Sequence, residues 1–102
     1  MACRIRWAPR AASQLEGICE YIAKDSPRYA TLFARRVLQI IRTIPDNPLM
    51  GRVVPEYRDP SLRERIYEGY RIVYGVDNDA VKIVAICHGA RELDRAMEDP
   101  SQ

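Results

Sequence analysis
Glutamates, arginines and a histidine are the side chains that could run metal-free acid–base chemistry on a phosphate ester, which takes a base for the attacking hydroxyl's proton, cations for the charge gathering on the phosphate, and an acid for the departing oxygen. The residues that could supply them lie in the second half of the chain. Glu56 or Glu64 would be the base, Arg65 and Arg71 the phosphate clamps, and His88, the only histidine, the acid or base. Histidine suits either part because its ordinary titration range lies next to neutral pH. Arg71 and His88 fall on β-rich runs expected to be neighbours, which would bring them to one face. Plainer readings stand beside this one. Arg71, between Tyr70 and Ile72, could be a solvated strand residue or could pair with Glu64 or Glu68 across the sheet. His88 could end a strand and hydrogen-bond a loop carbonyl. Tyr67, Tyr70 and Tyr74 fit sheet packing better than base stacking.

The stretch that would hold these residues in place runs from Arg63 to Arg91. Arg63–Glu68 leads through Gly69 into Tyr70–Val76, Asp77-Asn78-Asp79 turns the chain, and Ala80–His88 returns. Val, Ile and Tyr fill the runs while Gly, Asn and Asp punctuate them, as a meander of antiparallel strands requires. Side chains alternate at period two, so a central strand can bury one face and present Arg or His on the other.

Earlier in the chain, Cys3, Ile5 and Trp7 alternate with Arg4 and Arg6, the pattern of a short strand. Pro9 opens a helix to about Ala23, with Ala11, Leu15, Ile18, Cys19 and Ile22 on one face. Ser26 and Pro27 read as N-cap and first residue of a second helix. Its apolar stripe runs through Ala30, Phe33, Ala34, Val37, Leu38, Ile41 and Ile44 to a stop at Pro45. Arg28, Arg35, Arg36 and Arg42 fall off that stripe and read as a solvated face. So short a turn between the helices predicts an antiparallel hairpin. Residues 46–60 form a proline-rich connection with turn geometry at Met50-Gly51-Arg52 and a short edge strand near Arg52–Pro55. Arg91–Met97 predicts a short terminal helix, and Glu98–Gln102 a frayed tail. The order is β-α-α-loop-β-β-β with the helices on one side: an α+β domain, in which a helical hairpin covers a small twisted antiparallel sheet.

At 102 residues the chain is expected to be one domain, residues 1–102. No apolar run reaches transmembrane length, and residues 1–25 lack the order of a signal peptide, so a cytoplasmic protein with no membrane contact is expected. Cys3, Cys19 and Cys87 are odd in number and lack metal-ligand spacing, which predicts buried thiols in a reducing compartment. A net charge of +2 is too small by itself to argue for nucleic acid.

Several phrases carry a family resemblance. They are Trp7-Ala8-Pro9-Arg10-Ala11; Leu15 through Tyr21-Ile22-Ala23-Lys24-Asp25-Ser26-Pro27; Ala30 with Phe33-Ala34; and Asn47-Pro48 before Gly51-Arg52. Next come Val54-Pro55-Glu56, Arg63-Glu64, and Gly69-Tyr70-Arg71-Ile72-Val73-Tyr74. Val84 to His88, followed by Arg91, completes the set. In this order and spacing the chain resembles the ParE/RelE superfamily, the toxins of bacterial type II toxin–antitoxin pairs. The resemblance implies the same fold of helical hairpin on antiparallel sheet.

It implies two activities, because one scaffold hosts different chemistries. RelE-like members are similar to metal-independent ribonucleases that cut mRNA in the ribosome, and ParE-like members resemble inhibitors of DNA gyrase. Arg71 and His88 match positions used by some RelE-like nucleases. Gly89, however, stands where such nucleases place a Tyr after the His, and no Tyr, Lys or His follows His88. The terminal segment thus lacks residues that stack on and position a nucleotide. The helical hairpin with Tyr21-Ile22-Ala23 and Ser26-Pro27 resembles the ParE branch. That branch implies a growth-arresting toxin acting on gyrase by protein contact, with no catalytic residue, metal or cofactor. If the chain is instead a nuclease, Arg65, Arg71, His88 and Glu56 are its candidates. A member that binds its antitoxin and poisons nothing is a third reading. The resemblance further implies a cognate, ParD-like antitoxin whose apolar segment folds on binding, with DNA met only through the antitoxin. The contact residues expected for antitoxin or target are Arg52, Arg65, Tyr70, Arg71, Tyr74, His88 and Arg91.

Overall fold
The computed structural model describes residues 4–89 and 92–98. Cys3 and Arg91 lie outside them. Strand β1 (Arg4–Trp7) runs into helix α1 (Pro9–Ala23), a turn, and helix α2 (Pro27–Thr43). Pro9 opens α1, where its missing amide proton costs nothing. Ser26 caps α2 as expected, its hydroxyl accepting from the Tyr29 amide at 3.1 Å. Helical geometry tightens at Ile44–Asp46 into a 3-10 turn that holds Pro45. The chain then forms β2 (Arg52–Val53), β3 (Leu62–Tyr67), β4 (Tyr70–Asp77), β5 (Ala80–His88) and α3 (Leu93–Glu98).

The strands form one sheet in the order β1-β5-β4-β3-β2. The meander is antiparallel as expected, but β1 pairs with β5 in parallel. The β3–β4 hairpin closes on Glu68 and Gly69, both at positive φ, the two-residue turn that matches strand twist. A bulge opposite Val73 and Tyr74 leaves Val84 unpaired on β5. Ile83 and Ile86, three residues apart, can then both face the helices.

Both faces of the sheet are covered. Phe33, Val37, Ile41 and Ile44 on the α2 side and Ala8 and Ala11 on the α1 side pack on Ile72, Tyr74, Ile83 and Ile86. On the opposite face Leu93 and Ala96 of α3 join Val54, Val73, Ala85 and Cys87 in a second core. This corrects two expectations. The helices are not confined to one side, and the centre of the sheet has no wet face. Arg10 and Gln14 of α1 reach around β5 to α3, donating to the carbonyls of Met97 and Ala96 at 2.8 and 3.0 Å. Among the described residues no helix is long and apolar enough to cross a membrane.

Candidate functional site
Strand register decides which candidate residues can meet. Tyr70 pairs with His88 and Arg71 with Cys87, so Arg71 and His88 point to opposite faces. Their expected convergence is therefore incorrect: they lie on neighbouring strands, but one position out of phase. Arg65 pairs with Ile72 and so faces the helices, away from Arg71.

On the face away from the hairpin, Arg71 is buried and bound by two carboxylates. Its Nε donates to Glu64 Oε1 at 2.6 Å, and its two terminal nitrogens donate to Glu56 at 2.9 and 2.8 Å. Glu64 is itself buried, and its second oxygen accepts from Arg52 at 2.5 Å. Burial without such partners would be costly; here no buried side-chain polar atom among the described residues lacks a hydrogen bond. The bidentate bond from Arg71 holds the Glu56 carboxyl down at about 2, against an ordinary 4.5. The same bond, with that to Glu64, raises the Arg71 guanidinium above its usual range. Of the two cross-sheet partners considered for Arg71, Glu64 is found and Glu68 is not. Glu68 instead accepts from the Tyr29 hydroxyl on α2, which pushes that phenol up to about 12. Arg71 as a solvated residue is likewise excluded by its burial.

Tyr74 has no exposed surface, so as folded it cannot touch an antitoxin or target. It anchors the 46–60 connection: its hydroxyl donates to the Pro48 carbonyl at 2.7 Å and accepts from the Gly51 amide at 3.1 Å. Arg63 helps by donating to the carbonyls of Pro60, Leu49 and Gly51. Cys87 is buried beside Arg71, and burial pushes its thiol up to about 11, the condition of an unreactive cysteine.

Tyr70 and His88 come together on the hairpin side. Their rings meet edge to face, with centroids 4.6 Å apart, and the His88 imidazole covers Gly69. No side-chain hydrogen bond ties His88 to a loop carbonyl among the described residues. Both rings line a groove of about 1100 Å³ that runs beside the C-terminal half of β5, between α1 and α3. Ile18 and Tyr21 of α1 form one wall, Glu92 and Arg95 another. Tyr21 is 69% exposed, and Gly17 one turn before it carries no side chain to narrow the groove. Sequence reasoning missed Gly17, Tyr21 and Arg95 here. Two signals pointed to the first pair: an aromatic outside the apolar stripe, and a glycine inside a helix where it lowers stability.

Residues 5–93 match the family model described as the ParE toxin of the type II toxin–antitoxin system, parDE. A curated protein of Sinorhizobium fredii (strain NBRC 101917 / NGR234) named "Putative toxin Y4kP" is 32% identical over 96 residues, covering 92% of this chain and 96% of its own. Among solved structures, the chromosomal ParDE system from P. aeruginosa superposes with a TM-score of 0.72 at 17% identity, over 87% of this chain and 98% of that one. The toxin–antitoxin complex RelBE2 from Mycobacterium tuberculosis gives 0.61 at 19% identity, over 86% and 99%. At these identities the two superpositions establish likeness of fold.

Proposed function
This chain belongs to the ParE family of toxins from type II toxin–antitoxin systems, and from that premise we propose that it arrests growth by binding and inhibiting DNA gyrase and is neutralised by a cognate antitoxin. The observation that carries this reading over RNA cleavage is the separation of Arg71 from His88. A metal-free nuclease needs base, acid and phosphate clamp around one phosphate. Here Arg71, Glu56 and Glu64 lie on one face of the sheet with the guanidinium already neutralised, while His88 and Arg65 belong to the other. Contact, which needs shaped surface rather than convergent groups, suits this arrangement better.

The ParD-like antitoxin, on this reading, lays an apolar segment into the groove between α1 and α3. Ile18, Tyr21 and Tyr70 supply apolar and aromatic surface there, and Glu92 and Arg95 supply a charged rim. Both partners meet in the cytoplasm.

The test is to induce the chain without its antitoxin and pulse-label DNA and protein synthesis, then to assay purified gyrase for supercoiling. DNA synthesis should fall first, supercoiling should be inhibited, and His88→Ala should still arrest growth. Protein synthesis falling first, with arrest lost in His88→Ala, would replace this reading with mRNA cleavage. No effect on either synthesis would leave a chain that only binds its antitoxin.

A further inference from the structure
The outward face of α2 takes no part in the groove, the ion network or either core. Arg28, Arg35 and Arg42 follow at seven-residue intervals, so they drift by only about 40° around the axis and span about 21 Å along it. Arg36 flanks the row. All four are exposed, none forms an ion pair with a described residue, and α2 contains no acidic residue. Acids at three- or four-residue spacing lie only beyond the two ends of the helix, Asp25 before Arg28 and Asp46 after Arg42, and neither pairs with the row; Arg35 and Arg36 have none at that spacing.

These four charges exceed the net charge of the whole chain, +2, so the remainder is acidic on balance and the positive field is concentrated on one helix. The low net charge conceals that concentration. Every cation in the row is a guanidinium, whose planar fork matches two oxygens of one phosphate, and none is a lysine. The face also lacks the apolar centre on which a protein partner would close. Its exposed large apolar side chains are Leu32, 41% exposed, and the ring of Tyr29, 38% exposed with its hydroxyl taken by Glu68, a pair beside the row rather than a centre for it.

We propose that the α2 outer face is a site for the phosphate backbone of duplex DNA, gripped by Arg28, Arg35, Arg36 and Arg42 without regard to base sequence. It departs from the expectation, implied by the family resemblance and in keeping with the modest net charge, that DNA is met only through the antitoxin. It stands whether or not gyrase is the target. Were gyrase the target, the same face would let the toxin hold the enzyme's DNA along with the enzyme.

The experiment titrates the 102-residue chain into a fluorescent duplex of arbitrary sequence and follows anisotropy over a range of NaCl concentrations. With four phosphates engaged, affinity should fall by about 100-fold between about 50 and about 200 mM salt, and by only about 4-fold in Arg28→Gln/Arg35→Gln/Arg42→Gln. At the lowest salt the triple variant should bind at least about 10-fold more weakly, with an unchanged circular dichroism spectrum. The corresponding triple Lys variant should keep the steep salt dependence. Should the Gln variant fail to fold, the wild-type salt slope and Arg35→Gln alone decide the matter. Absence of duplex binding at low salt, or equal binding by a folded Gln variant, overturns the proposal. So does binding to poly-glutamate without binding to duplex, which would assign the face to an acidic protein.

Discussion
A guanidinium only 4% exposed has given up its hydration, and the carboxylates of Glu64 and Glu56 replace it. Arg71→Met should therefore leave Glu64 buried with Arg52 as its one ion partner and cost about 3 kcal/mol in chemical denaturation. Arg71→Met/Glu64→Leu should recover most of that loss, since no buried charge is left. Failure of the double variant to recover would mean that Arg71 acts by packing alone. Glu56 adds a pH dependence. Its carboxyl is held at about 2 against an ordinary 4.5, so its contribution is complete above pH 4.5 and is lost as pH falls toward 2. The stability difference between wild type and Glu56→Gln should shrink across that window and be constant above it. A difference that does not change with pH would exclude the bidentate bond. At this scale a cross-sheet pairing of Arg71 with Glu64 or Glu68 was an open reading of the sequence, and strand register decided for Glu64. Its pairing with Glu56 was not readable, because it depends on the 46–60 connection folding back over the sheet.

Elements were legible wherever periodicity and punctuation agreed. Ser26-Pro27 marked the start of α2, and Gly69 the β3–β4 connection, because capping and positive φ are local demands; that Glu68 belongs to the turn rather than the strand was not marked. The bulge at Val84 left no such mark, since it exists only to bring Ile83 and Ile86 to one face. Gly51 belongs to this scale too. A Cβ there would lie 2.3 Å from the Tyr74 hydroxyl and 2.7 Å from the Glu64 carbonyl. Gly51→Ala should consequently destabilise the fold by about 2 kcal/mol, as overpacking a closed site does. Adding Tyr74→Phe should not restore stability, because the Glu64 carbonyl remains in the way and the hydrogen bonds to Pro48 and Gly51 are lost. Full recovery in thermal unfolding would show that the hydroxyl was the sole obstacle.

Across the described residues, the candidate surfaces are separated. The groove beside β5 offers apolar and aromatic surface, the α2 face offers charge, and the candidate catalytic groups are divided between the two sides of the sheet. Gly17 tests the groove. Nothing lies within 4 Å of a Cβ at this position, so Gly17→Ala should stabilise α1 by about 0.5–1 kcal/mol. Gly17→Arg should fold equally well and still arrest growth, yet escape the antitoxin because the groove is filled. Neutralisation that survives Gly17→Arg would place the antitoxin elsewhere.

The amino-acid sequence by itself determined the helical hairpin, the meander and the family, since these follow from periodicity, caps, turns and ordered phrases along the chain. Tertiary structure alone decided that β1 joins β5 in parallel, that α3 covers the second face, and that Arg71 and His88 look away from each other. The physical reason is the period of two in a strand. A register differing by a single residue sends a side chain to the other side of the sheet, and pairing across strands, which local propensity does not specify, sets that register.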